Sequence, residues 1–284
     1  MAYNPNDNRE LRSLQLTELN LARIFAEICE KHHLRYYMVG GTMLGAIRHG
    51  GFIPWDDDMD FGMPRPDYEK LLTIVRKELP DGFGFLNYKQ NPEYNRYFSR
   101  IIDESVVVVN DSNTKTLREN AWIDVFPFDG MPTGKFAQKL RFWRMTFWRF
   151  LYRASCFDEL ANLNRPGRSA SVRFAIRFLQ KTHFGRGLNT KKLMGILERK
   201  LMKRGYDESP YMVSLFGAYM EREILDKSLL GDGKKYPFEN LEFNGAVEAD
   251  AFLTHFYGDY MTPPDDAHKD KHVIRQIEFA DGKK

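Results

Sequence analysis

Between Pro54 and Pro64 the chain reads Trp55-Asp56-Asp57-Asp58-Met59-Asp60-Phe61-Gly62-Met63. From Asp58 onward, carboxylate and large apolar side chains alternate. On a strand alternate side chains share a face, so Asp58 and Asp60 point one way while Met59 and Phe61 pack into a core. The pleat holds two such Cβ atoms about 6–7 Å apart. Carboxylates so close beside a core cannot both stay ionised cheaply without a cation between them. A hard divalent ion such as Mg²⁺ is the usual answer. A strand over Asp58 to Met63 facing a metal is therefore the first expectation.

The residues on either side fit that expectation. Arg35 to Val39 is a β-branched and aromatic run that ends at Gly40-Gly41, and Thr42 to His49 reads as a short helix with Thr42 at its N-cap and Gly50-Gly51 closing it. A Gly-Gly turn that follows a strand and opens a helix presents backbone N–H groups to an anion. Arg48 on the same helix can clamp a second phosphate oxygen. Downstream, Trp122 to Phe126 is a strand with Asp124 set between Ile123 and Val125. If that strand neighbours the first, Asp124 becomes the third carboxylate of one site, and three such groups can bind metal and still take a proton. A metal held by acids opposite a phosphate cradle is the apparatus of phosphoryl or nucleotidyl transfer.

Each piece has a plainer reading. A Gly-Gly pair is often only a tight turn, and Asp56-Asp57-Asp58 reads equally as a solvated loop before the next element. Their joint occurrence in this order favours the functional reading. A structural calcium loop is not expected. Asp56, Asp58 and Asp60 match its positions 1, 3 and 5, but Phe61 and Asp67 stand where Gly and Glu are required, with Pro64 and Pro66 between.

Around this centre the pattern is mixed. Asn8 to His32 carries apolar residues at helical spacing, Asp67 to Glu78 is a further helix, and Phe83 to Leu86, Tyr97 to Asp103 and Ser105 to Val109 read as strands. Pro127 and Gly130-Met131-Pro132 mark a turn. Beyond it Phe136 to Arg153, Ser171 to Thr182 and Thr190 to Arg204 are helical and basic, and a short helix near Asp250 to Tyr257 precedes the Pro263-Pro264 break. This order predicts an α+β fold with a basic helical insertion or second lobe. The expected division is a catalytic core over 1–134, a basic helical region over 135–208 and a C-terminal segment over 209–284 that packs back on the core.

Charge is uneven in the 284-residue chain. Lys135 to Arg186 holds 12 basic and 2 acidic residues, although the whole chain is only +3. Such asymmetry usually has a partner. Within it, Phe136, Leu140, Trp143, Phe147, Phe150 and Leu151 can share one helical stripe, with Arg141, Arg144, Arg149 and Arg153 interleaved. A helix of this kind over 135–153 can lie in an anionic membrane interface; it can equally be a core helix with a basic edge. No nucleic-acid motif accompanies it, so no nucleic-acid partner is expected. Two cysteines without metal-ligand spacing, a polar start and no apolar run of membrane-spanning length predict a cytoplasmic protein, at most peripheral at the inner membrane face. His32-His33 and His255 have no ligand spacing, and His272 is only a weak candidate for the site.

The run from Val39 to Asp60, VGGTMLGAIRHGGFIPWDDDMD, strongly resembles the signature of the LicD family of bacterial phosphorylcholine transferases, relatives of the fukutin-type ribitol-phosphate transferases. Trp122-Ile-Asp-Val-Phe-Pro127 resembles the family's third-carboxylate strand, and Phe216 to Glu223 and Phe256 to Pro264 resemble its later blocks. The resemblance implies a nucleotidyltransferase-like mixed sheet flanked by helices, Mg²⁺ or Mn²⁺ as cofactor, and CDP-choline as donor. It implies a sugar hydroxyl on a lipid-linked teichoic-acid or lipopolysaccharide precursor as acceptor, with CMP released. Residue by residue, it places the metal carboxylates at Asp58 and Asp60, an additional acid at Asp56, and the third carboxylate and base at Asp124. Relatives move other phospho-alcohols such as ribitol phosphate, and a nucleotidyltransferase is the alternative enzyme. A quaternary ammonium would be held by aromatic faces, for which Trp55 and Trp122 are the expected walls.

Overall fold

The computed structural model describes residues 8–111, 116–157, 170–264 and 274–279. His272 lies outside the described residues. Its seven described α-helices are α1 (Asn8–Lys31), α2 (Gly40–His49), α3 (Arg65–Glu78), α4 (Lys135–Ser155), α5 (Ala170–Thr182), α6 (Thr190–Met202) and α7 (Ala249–Tyr257). Its strands are β1 (Tyr37–Met38), β2 (Asp60–Pro64), β3 (Phe83–Leu86), β4 (Ser99–Asp111), β5 (Thr116–Met131), β6 (Tyr211–Val213), β7 (Ile224–Asp226), β8 (Lys234–Phe238), β9 (Leu241–Gly245) and β10 (Ile274–Phe279). The fold is α+β with a mixed sheet, as expected.

The spine of the main sheet runs β1-β2-β5-β4-β10. The β2–β5 pair is parallel and the other pairs are antiparallel. At 16 residues, β5 is long enough to serve several neighbours along its length: β4 over its first part, β2 from Asp124 to Phe128, and β6 from Asp129 to Met131. Strands β8 and β9 form a separate hairpin.

Three expectations are corrected here. Tyr97 to Asp103 and Ser105 to Val109 are not two strands but parts of β4, which contains a register shift between Asp103 and Val107. The break is local because Asp103 Oδ1 accepts the Ser105 backbone N–H at 2.9 Å, so the extra residues bulge out and the ladder resumes. The two halves then take different partners, β3 before the shift and β10 after it. Pro127 and Gly130 do not turn the chain either, since β5 runs through them to Met131. Pro127 stands opposite Met63 in the parallel register; a proline removes one ladder donor without forcing a turn when the chain is already extended. Finally, the strand expected over Arg35 to Val39 shrinks to Tyr37 and Met38 at the sheet edge.

The core beneath the sheet is aromatic. Phe25 of α1, Tyr36, Phe61 of β2 and Phe243 of β9 form successive ring contacts with centroids 5.0 to 5.9 Å apart, edge-on except for the tilted Phe25–Phe61 pair, geometries that ring quadrupoles favour over face-to-face stacking. Leu16, although apolar, falls off the buried stripe of α1 and is exposed. A second core joins α4 and α6. Phe142, Met145 and Tyr152 pack with Leu193, Met194, Leu197 and Leu201, and the same cluster takes in Tyr88, Tyr97 and Met131 from the sheet side.

Helix α4 has a second apolar face, and it meets no core. Phe136, Leu140, Trp143, Phe147 and Phe150 recur at spacings of four and three and are all exposed, Phe136 to 81%. Leu151 leaves the stripe and packs partly on the second core. Of the interleaved arginines, Arg141 donates to the carbonyls of Lys200 and Leu201 and Arg149 to that of Leu215. Lys135, Lys139, Arg144 and Arg153 are exposed. No helix among the described residues is long and apolar enough to cross a membrane.

Candidate active site

The sheet register settles the relation between the acidic strands. Asp60, the first residue of β2, stands directly beside Asp124 of β5 in the parallel ladder, and the Asp124 N–H donates to the Met59 carbonyl at 2.9 Å. Met59 and Phe61 are fully buried while Asp58 and Asp60 are partly exposed, the alternation expected of this stretch. Asp58 itself precedes the strand, since β2 begins at Asp60.

The Gly-Gly turn closes over the same acids. Helix α2 starts at Gly40, two residues earlier than expected, and its N-cap position is Val39, which makes no side-chain cap. Thr42 is therefore not the cap. It lies in the first turn, buried, and its Oγ1 accepts the Asp60 backbone N–H at 2.8 Å. That bond ties the helix start to the strand start. Gly40 has φ +56°, a left-handed conformation that glycine adopts without strain. A Cβ on Gly40 would lie 3.1 Å from Asp60 Oδ2, and one on Gly41 only 2.4 Å from Asp56 Oδ2. The glycines thus let two carboxylates approach the positive end of a helix.

The remaining acids gather in the approach loop. Asp56, Asp57 and Asp58 each offer an oxygen within 4.8 Å of the others, and among the described residues this is the acidic group that close. Asp57, not singled out from the sequence, is the buried member. The donor set around the turn is entirely carboxylate oxygen, which suits a hard cation such as Mg²⁺ or Mn²⁺.

Asp124 has a further partner that the sequence does not announce. Arg100 of β4, opposite it in the ladder, donates Nε–H to Asp124 Oδ1 at 2.7 Å. Arg100 also donates to Glu119, which accepts from Arg96 as well. Burial works against the Arg100 charge, but Asp124, Tyr94 and Glu119 outweigh it and hold its pKa above the usual guanidinium value. The Trp122 ring lies under this guanidinium, 4.0 Å from Arg100 Cζ to the ring centroid, and is buried beside Leu14 and Ile102. That ring already serves a cation, so Trp122 is not an open wall for a ligand. Trp55 is partly exposed and meets His49 edge-on.

The chain's later blocks fold onto this centre. Arg48 donates Nη1–H to the Tyr260 carbonyl at 2.8 Å; burial lowers its pKa, while Tyr257 and Asp56 act in the opposite direction. The Tyr257 hydroxyl is raised well above its ordinary value by burial, then by Tyr219 and by Asp56 and Asp60. Tyr219 and Tyr257 pack edge-on at 5.5 Å. Both tyrosines lie in stretches that the sequence marks only as blocks.

Glu18 is the other residue that sequence reading overlooks. It sits on α1 at 1% exposure, and its Oε2 has no hydrogen-bond partner among the described residues. One turn before it, Gln15 donates Nε2–H to the Asp56 carbonyl at 2.9 Å, so this side of α1 lies against the acidic loop. Burial, followed by the fields of Asp58, Asp57, Asp56 and Asp124, pushes its carboxyl pKa well above the usual range. A signal was present. Glu18 occupies a stripe position between Leu14 and Leu21, Ala22 and Phe25, where an apolar side chain is the rule.

Residues 33–163 match a family profile described as LicD/FKTN/FKRP, nucleotidyltransferase domain. The chain is 26% identical over 274 residues to the lipopolysaccharide cholinephosphotransferase LicD of Haemophilus influenzae, covering 93% of this chain and 96% of that protein. It is 45% identical over 79 residues to the ribitol 5-phosphate transferase FKRP of Homo sapiens and of Mus musculus, which is 27% of this chain and 15% of each of those proteins. The Gly-Gly turn and the acids gathered against it fall inside the matched segment, and the likeness to the bacterial relative runs almost end to end, so the chain is a transferase similar to the LicD proteins.

Proposed function

We propose that this protein transfers phosphocholine from CDP-choline to a sugar hydroxyl on a lipid-linked lipopolysaccharide or teichoic-acid precursor. The observation that carries the reading is the approach of Asp56 and Asp60 to the Gly40-Gly41 turn with Asp124 beside Asp60 in the ladder, in a chain similar nearly end to end to a cholinephosphotransferase. In a nucleotidyltransferase-like core over 1–134, Asp56, Asp58 and Asp60 would hold Mg²⁺ or Mn²⁺, with Asp124 beside them. The ion supplies charge neutralisation at the donor's diphosphate. The Gly40 and Gly41 amides and Arg48 bind the phosphate oxygens. Asp124 accepts the acceptor's proton through Oδ2, the oxygen that Arg100 does not hold. The sugar oxygen bonds to the choline-bearing phosphorus, the bond to the bridging oxygen breaks, and CMP leaves with that oxygen. Trp55 and Tyr257 are the aromatic faces assigned to the trimethylammonium group, with Tyr219, under Arg222, packed behind Tyr257.

The test is CMP release from CDP-choline with Mg²⁺, with and without a lipid-linked precursor fraction. Release that needs both metal and precursor supports the reading. Release of pyrophosphate from a nucleoside triphosphate would replace it with a nucleotidyltransferase. CMP from CDP-ribitol alone would favour the ribitol-phosphate chemistry of the FKRP relatives.

Gly41→Ala separates site from fold. Alanine gains about 0.5–1 kcal/mol of helix propensity over glycine, so melting temperature should hold. The new Cβ, 2.4 Å from Asp56 Oδ2, must displace that carboxylate, and kcat/KM should fall roughly 10²-fold. Wild-type turnover in this variant would detach Asp56 from the chemistry.

The acceptor would be met at a membrane. The exposed stripe of α4 with its flanking Lys135, Lys139, Arg144 and Arg153 suits an anionic lipid interface. Sedimentation with vesicles containing phosphatidylglycerol should capture the protein, and with uncharged vesicles much less. Trp143→Ser with Phe147→Ser should weaken capture at least about tenfold, since each ring is worth roughly 1.5–3 kcal/mol on burial. Equal sedimentation of variant and wild type would leave the stripe to a protein partner.

A further inference from the structure

We infer that Glu18 is a member of the cation site: its carboxylate, delivered from α1 beneath the Asp56–Asp58 loop, completes the set of acids that holds the divalent ion. The inference rests on the cation reading of the acidic loop given above and adds a residue outside the stretches that resemble the family signature.

A glutamate at a stripe position of a helix, 1% exposed and with an oxygen unpartnered, is a standing penalty to the fold. Other carboxylates that are buried or half-buried have partners: Asp103 and Glu223 accept backbone N–H bonds from Ser105 and Tyr219, and three more are matched by cations. Asp129 accepts from Arg65, Glu198 lies by Arg65 and Lys89, and Glu119 accepts from Arg96 and Arg100. The groups whose fields act on Glu18 are Asp58, Asp57, Asp56 and Asp124, all of one sign. The helix does not need this residue for its packing, because Leu14, Leu21, Ala22 and Phe25 already bury the same stripe.

Its placement is equally specific. Gln15, one turn before Glu18, is itself buried and fastens α1 to the loop through the Asp56 carbonyl. Two polar side chains therefore interrupt one apolar stripe at adjacent turns, and the one whose contact is defined reaches the residue that begins the acidic run. Gln15 fixes the helix against the loop, and Glu18, three residues on, is a buried carboxylate on the next turn of the same helix. Like charges stacked in a poorly solvated place become favourable together only when a cation joins them. A hard divalent ion takes six or more oxygens, and buried carboxylates raise its affinity.

The test reads metal binding directly, without turnover. Mn²⁺ is titrated calorimetrically into wild type, Glu18→Gln and Asp58→Asn, with melting temperatures of the metal-free proteins measured alongside. Glu18→Gln keeps shape and removes the charge. It should weaken Mn²⁺ binding at least tenfold while the metal-free protein melts no lower than wild type, because a buried repulsion has been relieved. A structural residue would behave the other way round, with melting lowered and Mn²⁺ affinity kept. Affinity within twofold of wild type in a folded Glu18→Gln protein overturns the inference, even if Asp58→Asn abolishes binding and so upholds the cation site. A wild type that binds no Mn²⁺ overturns both. Should the glutamine variant not fold, Glu18→Asp carries the test. It keeps the charge but reaches less far, so a loss of at least threefold is expected and unchanged affinity is the overturning result.

Discussion

Replacing Asp60 by asparagine is expected to lower CMP release by about 10³-fold or more, which is roughly 4 kcal/mol of transition-state stabilisation. The size follows from what the side chain alone supplies. Its backbone N–H is held by Thr42 Oγ1 and its ladder position lies beside Asp124, and neither depends on the carboxylate charge. The amide is nearly isosteric, so β2 and the start of α2 stay in place. What changes is one negative oxygen at the mouth of the Gly-Gly turn, where Asp60 Oδ2 lies 3.1 Å from the point a Gly40 Cβ would occupy. Melting temperature should be unchanged or higher, since an acid among acids has been neutralised. Residual activity above a tenth of wild type would show that Asp60 stands outside the reacting centre. Chelation of divalent ions should abolish activity in the wild type just as completely, and re-addition of Mg²⁺ should restore it.

The largest effect on stability is expected away from the acids, at Asp129. Arg65 donates Nε–H and Nη2–H to the two oxygens of Asp129 at 2.8 and 2.7 Å, with both side chains almost wholly buried. Burial opposes the Arg65 charge, but Asp129 and the nearby tyrosines outweigh it and hold its pKa well above the usual value. The pair clamps the start of α3, just past β2, to β5. These are the strands that carry Asp60 and Asp124. Asp129→Ala takes the two-point partner from a buried guanidinium, leaving it the longer contacts to Glu69 and Glu198, and should cost up to about 3–5 kcal/mol in urea unfolding. The double variant Arg65→Met with Asp129→Leu removes both charges and should recover most of that loss, because desolvating an ion pair offsets much of its attraction. A single variant within 1 kcal/mol of wild type, by the same comparison with that expected cost, would mean that water reaches the pair.

Residues close in sequence were the legible ones. The alternation from Asp58 to Phe61, the Gly40-Gly41 turn and the helical spacing of α1 are each a local pattern, and local backbone geometry turns such patterns into elements without outside help. The LicD resemblance was legible for the same reason, since its signature is a continuous run from Val39 to Asp60. Local signals also misled where a neighbour overruled them. Pro127 and Gly130 read as a turn, yet flanking strands keep β5 extended to Met131. Thr42 reads as a cap, but Asp60 claims its hydroxyl.

What only the tertiary structure decided is what comes from far along the chain. The alternation in the sequence puts Asp58 and Asp60 on one face, but only the parallel register of β2 with β5 sets Asp60 beside Asp124, 64 residues further on in the sequence numbering. No pattern in β4 announces that Arg100 will hold Asp124 or that the Trp122 ring will lie under that guanidinium. Tyr257 feels the fields of Asp56 and Asp60 with Tyr219 packed on it, and Gln15 ties α1 to the Asp56 carbonyl, because separate elements pack around a common centre. A sequence carries the periodicity of each element; which side chains meet across elements is fixed by strand register and by the burial that every apolar face must find.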